Sequence, residues 1–158
     1  MDQEEYRKLL GRMQALCSRS EKCRTDIRKK LEGQEVSPRV AEKILGDLEK
    51  ESFIDEHRYA RAYVNDKGRL QGWGPVKISN MLRTKGISDD IIQLALSQAD
   101  QNLFSGKLKK SLLLKNKAIK EQDPRKRHAR LVRFGLGKGY GYSQIMECLE
   151  SIKNQLMK

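Results

Sequence analysis

The residues whose types and spacing could do chemistry are cations gathered in the last third of this 158-residue chain. Lys107, Lys109, Lys110, Lys115, Lys117 and Lys120 fall in one predicted helix and cover more than one of its faces. Arg125, Lys126, Arg127, Arg130 and Arg133 follow at the start of the next. Three consecutive cations, Arg125 to Arg127, repel one another unless they are solvated or paired with phosphates. Lys126, Arg130 and Arg133 stand three to four residues apart, as do Arg127, Arg130 and Arg133, so either set can share one helical face. Such a face can follow a phosphate backbone without reading bases. With Lys138 added, this is the strongest phosphate candidate in the chain. Neutralising about six phosphates would make binding steeply dependent on salt. A second cationic group, Arg69, Lys77, Arg83 and Lys85, surrounds a glycine-rich turn. Trp73 lies in that turn between Gly72 and Gly74 and is the candidate for stacking on a base.

Other chemistries find little support. His57 and His128 fall in separate predicted helices, with no acid or nucleophile at fixed spacing, so no catalytic residue is assigned. The run GLGKGYGY at 135–142 lacks the Lys-Ser or Lys-Thr pair of a phosphate loop and follows a helix rather than a strand. It reads as a helix end plus a turn. Cys17, Cys23 and Cys148 are odd in number, and Cys17 and Cys23 are six apart, the wrong spacing for a zinc knuckle. No metal or other cofactor is expected. The N-terminal MDQEEYRKLL is too polar for a secretory or mitochondrial leader, and no apolar run approaches membrane-spanning length. These features predict a cytoplasmic protein with free thiols and no membrane partner, most simply a monomer.

The charge pattern sharpens the cationic reading. Net charge is +12, yet residues 1–50 hold 12 Lys and Arg against 10 acids, and residues 51–102 hold 7 against 7. Residues 103–158 hold 14 against 4. Charge concentrated in one third suits a surface aimed at phosphates. The plain alternative is a solvated, lysine-rich helical face.

The elements that must position these side chains are all helices. Hydrophobic residues recur at helical spacing and no strand-like alternation persists. Leu9, Leu10, Met13 and Leu16 mark a first stripe. Ser20 is expected to cap a helix carrying Ile27 and Leu31, and Ser37–Pro38 to start a third. Asp55, Pro75 and Ser88 start three more, with Gly86 as a helix stop. The last three begin near Asn102, at Asp123–Pro124 and after Gly141. Shifts of 51 and then 53 residues align Ile27 with Ile78 and Leu131, Val36 with Ile87 and Tyr140, and Leu45 with Leu96 and Leu149. Tyr140 and Tyr142 also sit in a glycine-flanked turn, but the repeat argues that Tyr140 packs in a core. Gly135 falls where the earlier copies have Leu31 and Leu82, which predicts a third copy packed more loosely or shifted in register. The expected architecture is all-α: three tandem three-helix repeats, at 1–52, 53–101 and 102–158, stacked into an elongated, curved body.

The segment FIDEHRYARAYV at 53–64, then Gly74–Pro75 with Ile78 three residues on, and the ending Leu82 to Lys85-Gly86-Ile87, resembles the middle of RecX, the bacterial regulator of the RecA recombinase. The likeness extends back through SRSEKCRTDIRKKL, with Asp26–Ile27 where such proteins usually have an acid and a leucine. It covers most of residues 13–99, and the last third more loosely. The resemblance implies three-helix repeats and no enzyme activity. It further implies a modulator, in the inhibitory sense, of RecA that binds the groove of the RecA–DNA filament in recombination, DNA repair and the SOS response. Its partners would be RecA, single-stranded DNA and double-stranded DNA. The alternative carried by charge alone is a sequence-independent DNA- or RNA-binding module with no recombinase partner.

Overall fold

Capping side chains set where most helices begin. In the computed structural model, which describes residues 1–157 and, for Gln101, the backbone alone, α1 (Gln3–Arg19) opens with a capping box. The Glu5 amide donates to Asp2 Oδ1 at 2.8 Å, and the Asp2 amide to Glu5 Oε2 at 3.3 Å. α3 (Pro38–Lys50) has Ser37 at its N-cap and a proline in its first turn, and α6 (Asp89–Gln98) has Ser88 as N-cap. Asp55 accepts from the Arg58 amide at 3.1 Å to start α4 (Glu56–Arg69). α5 (Pro75–Thr84) ends with Gly86 at φ 79°, as a left-handed helix stop requires.

α2 (Arg24–Glu32) starts differently from the expectation. Ser20 ends α1 instead of capping α2, and the N-cap is Cys23, whose amide donates to Asp26 Oδ2 at 3.3 Å. The cap comes from the third helical residue reaching back, so a search for Ser or Thr ahead of the helix misses it. α7 (Gln101–Ala118), α8 (Pro124–Gly137) and α9 (Tyr142–Leu156) complete the chain, and there is no strand among the described residues.

Three hydrophobic clusters follow the helices in threes. The first gathers Leu9, Met13 and Cys17 of α1, Ile27 and Leu31 of α2, and Ile44, Leu45 and Leu48 of α3. The second is built on Tyr59, Ala60 and Val64 of α4, Ile78 and Leu82 of α5, and Ile92 and Ala95 of α6. The third holds Leu108 and Leu112 of α7, Leu131 of α8, and Ile145, Leu149 and Ile152 of α9. Tyr140 is 1% exposed within the third, as the repeat arithmetic predicts. Some residues cross the expected limits. Ile54 packs in the first cluster, Cys23 in the second, and Phe104 touches both the second and the third.

Gly135 does not loosen the third copy. A Cβ at this position would fall 2.8 Å from Ile145 Cδ1, so the isoleucine of α9 occupies the space that a side chain on α8 would need. Volume lost on one helix is recovered on its neighbour.

Candidate nucleic-acid interface

The basic third of the chain is organised around one buttressing arginine. Helix ends leave their last carbonyls without intrahelical partners. Arg127 serves the end of α7: its Nη1 donates to the carbonyls of Ile119 at 2.8 Å and Glu121 at 2.6 Å. Its Nη2 donates to the Asn116 carbonyl at 2.8 Å and to Asn116 Oδ1 at 2.6 Å. α8 then starts cleanly, with Asp123 accepting from the Arg125 amide at 2.9 Å and Pro124 in the first turn. The two helices are held splayed, and a cleft of about 630 Å³ opens between them.

Lys115, Ala118, Ile119, Lys120, Arg130, Arg133 and Phe134 line this cleft. Its floor is apolar and four cations surround it. Lys115 Nζ stands 5.3 Å from the centroid of the Phe134 ring, and Lys138 Nζ 6.0 Å. Arg125, Lys126, Arg130 and Arg133 are exposed. One carboxylate approaches the group, Glu121 at 3.9 Å from Arg130, a separation that contributes little at an exposed site. Thus Arg130 and Arg133 share a built cleft, whereas Arg127 spends its guanidinium on the α7 end. Lys115 and Lys120 belong to the lysine array read from the sequence, with no sign there that these two of the six would line a cleft, and Phe134 was not singled out. Phe134 had a visible signal, an aromatic residue four positions after Arg130 on a cationic helix.

The second cationic group disperses. Arg69 is exposed and lines a shallow cleft with Lys107 and Lys110, joining the basic helix α7. Arg83 Nε donates to Asp89 Oδ1 at 2.7 Å and its Nη1 to Asn80 Oδ1 at 3.0 Å. Lys85 Nζ lies 2.7 Å from Asp26 Oδ1, and the Lys85 carbonyl accepts from Thr25 Oγ1 at 2.8 Å. Lys85 therefore ties α5 to α2. Burial alone would raise the pKa of Asp26, but the hydrogen bonds from Lys85 and from the Cys23 amide outweigh it and hold the carboxyl below its ordinary value. The same hydrogen bond raises Lys85 against the opposing effect of burial.

Trp73 is half-buried against the second cluster. Lys77 Nζ sits 4.3 Å and Lys67 Nζ 4.9 Å from its ring centroid, and the Tyr63 ring meets it edge-on at 6.5 Å. Lys77 is committed here, beside the turn.

The glycine-rich run after α8 is a clamp between helices. The Gly74 amide donates to the Lys138 carbonyl at 2.8 Å. The Gly139 carbonyl then accepts from the amides of Val76 at 2.9 Å and Lys77 at 3.3 Å. These are first-turn donors of α5, and the backbone of another helix pair satisfies them. The Tyr140 hydroxyl reaches the Gly72 carbonyl at 3.4 Å.

Among the described residues, no cluster of His, Cys, Asp and Glu could hold a metal, and no helix is long and apolar enough to cross a membrane. Burial pushes the Cys17, Cys23 and Cys148 thiols up, away from the thiolate form that reacts.

Comparison with known proteins bears on the family and the fold. Residues 55–96, which carry α4, α5 and most of α6, match the family model described as RecX, second three-helix domain. Regulatory protein RecX of Clostridium acetobutylicum is 32% identical over 156 residues, spanning 96% of this chain and 72% of that protein. The RecX of Prosthecochloris aestuarii is 31% identical over 137 residues, spanning 85% of this chain and 89% of the relative. A crystal structure of regulatory protein RecX aligns with a TM-score of 0.81 at 31% identity, covering 94% of this chain and 71% of that one. RecX from Lactobacillus salivarius shares the fold, with a TM-score of 0.84 at 21% identity over 95% of this chain and 97% of its own. Matched in sequence across nearly all of a relative and in fold across nearly all of itself, this chain belongs to the RecX family of regulatory proteins.

Proposed function

We propose that this chain restrains a RecA recombinase by lying in the groove of the RecA–DNA filament, with its third helical unit on DNA phosphates. The observation that carries the reading is the α7–α8 cleft, where Lys115, Lys120, Arg130 and Arg133 face one apolar floor. Flanking it are Arg125 and Lys126, with Arg69 beside Lys107 and Lys110 on the neighbouring surface. Lysine and arginine on rigid helices bind phosphate by charge, independent of base sequence, and the bound counterions they release make affinity fall with salt. The first two units, 1–52 and 53–101, have nearly balanced charge and would meet protein. Bridging neighbouring recombinase subunits while holding DNA would alter filament assembly without any chemical step by this chain.

The test is ATP hydrolysis by RecA on single-stranded DNA while this protein is titrated in. Loss of activity well below one copy per recombinase subunit is expected, because one bridging molecule stalls many subunits. An effect seen only when this protein saturates the DNA would leave a sequence-independent nucleic-acid-binding module. No effect, with the fold intact, would overturn the recombinase reading.

A further inference from the structure

We propose that the cleft between α8 and the start of α9 receives an unpaired base of a single-stranded nucleic acid, stacked on Tyr142. The proposal rests on the reading that the third unit contacts nucleic acid, and it adds a site on the other side of α8. At 100° per residue, Lys126, Arg130 and Arg133 fall along one side of the helix, and Ala129, Val132 and Leu136 along another. This second side forms a cleft of about 340 Å³ with His128, Arg133 and Tyr142, at the small end of ligand-site volumes. Two large apolar side chains stay open to solvent there, Tyr142 at 60% and Leu136 at 48% exposure.

Three aromatic residues occupy glycine-flanked turns, and their environments differ. Tyr140 is buried with its hydroxyl on the Gly72 carbonyl. Trp73 has an ammonium group near its ring from each of two lysines. Tyr142 alone of the three has a largely exposed ring.

The occupant follows from continuity of charge. Arg133 lines both this cleft and the cationic α7–α8 cleft, so a strand whose phosphates lie along Arg130 and Arg133 passes the rim of the Tyr142 cleft. A base presents a flat π-face that stacks on a tyrosine ring whatever its sequence. In a duplex those faces are covered by neighbouring bases, so the site discriminates in favour of single strands.

The experiment is fluorescence anisotropy with labelled oligothymidylate of about 20 nucleotides and an abasic strand of the same length and charge, each titrated with the full chain. Stacking of one base predicts that wild type binds oligothymidylate about 5- to 100-fold more tightly than the abasic strand. Tyr142→Ala should erase that difference by weakening oligothymidylate alone, and Tyr142→Phe should restore it. Tyr142 is exposed, so both variants should fold, which circular dichroism checks. Equal binding of both strands by wild type would overturn the base site while leaving the phosphate face standing. So would a Tyr142→Ala variant that keeps the preference, which would leave the cleft to a protein segment. Failure to bind either strand at low salt would overturn the phosphate reading, and this proposal with it.

Discussion

Gly74 and Gly139 touch backbone to backbone: a Cβ built on Gly74 would lie 2.5 Å from the Gly139 carbonyl carbon. Gly139 itself has φ 96°, and a Cβ there would fall 2.1 Å from Lys77 Cβ. Both glycines are demanded by the approach of the α8–α9 turn to the start of α5, which lets one carbonyl satisfy two helix N-terminal donors.

Gly139→Ala should therefore cost about 3 kcal/mol, from a left-handed backbone and a steric collision together. Urea denaturation is the measurement, with separate probes in the second and third units. The variant should also split the transition, the third unit melting first. Gly137→Ala is the control, since nothing lies within 4 Å of a Cβ there, and it should be neutral or slightly stabilising.

The Asp26–Lys85 pair gives a pH-dependent signature. Asp26 has its folded pKa lowered, so its contribution is present above the unfolded carboxylate value near 4 and lost as pH falls through the lower folded value. Lys85 has its folded pKa raised, so its share is present at neutral pH and lost only as strongly alkaline pH passes that value. Asp26→Asn should cost about 1 kcal/mol at pH 7, a figure for a pair that is partly open to solvent. In thermal melts the gap between variant and wild type should persist from pH 5 to 8 and close as pH falls through the lowered folded value of Asp26.

Arg127 and Arg130 are three residues apart and should separate cleanly in mutagenesis. Arg127→Ala removes four hydrogen bonds from a cation to the α7 end, and should destabilise the protein by about 2–3 kcal/mol. Lysine cannot replace the planar fork, so Arg127→Lys should recover little. Arg130→Ala should leave the melting temperature within about 1–2 °C while reducing the slope of log affinity against log salt by about 0.9. Equal effects of the two variants on folding would contradict the division of labour.

Trp73 is the one tryptophan in the chain, so its emission reports on its own turn. With lysine ammonium groups near its ring, titration with oligothymidylate should leave its emission nearly unchanged. Strong, saturable quenching would move the base contact to Trp73.

How much of this was legible in the sequence depended on how local the cause was. Ser37, Asp55, Ser88 and Gly86 declare helix ends because each bonds or bends within a few residues. Tyr140 was placed in the core by its repeat register with Val36 and Ile87. The uses of Lys85 and Arg127 were not legible, because a cation's partner is set by tertiary distance: Asp26 lies 59 residues from Lys85 in the chain. Gly135 was misread as slack because its filler, Ile145, stands on another helix. The α7–α8 cleft lay between these cases: its cations and Phe134 stand at helical spacing in the sequence, but that they enclose one cleft follows only from how α7 and α8 are placed.

The third unit is attached to the second at two separate places. One is the covalent joint at residues 99–100, beside which Leu103 packs against Gly68. The other is the noncovalent seam at Gly139. The first attachment is an area of packing, not a point, because Phe104 reaches the second cluster as well as the third and α7 lies along α4. Turning the third unit about the Gly139 seam would pull α7 off α4, and turning it about the α4–α7 contact would open the backbone hydrogen bonds at Gly139. Two seams placed apart thus lock the orientation of the cationic cleft relative to the second unit, where one alone would let it turn.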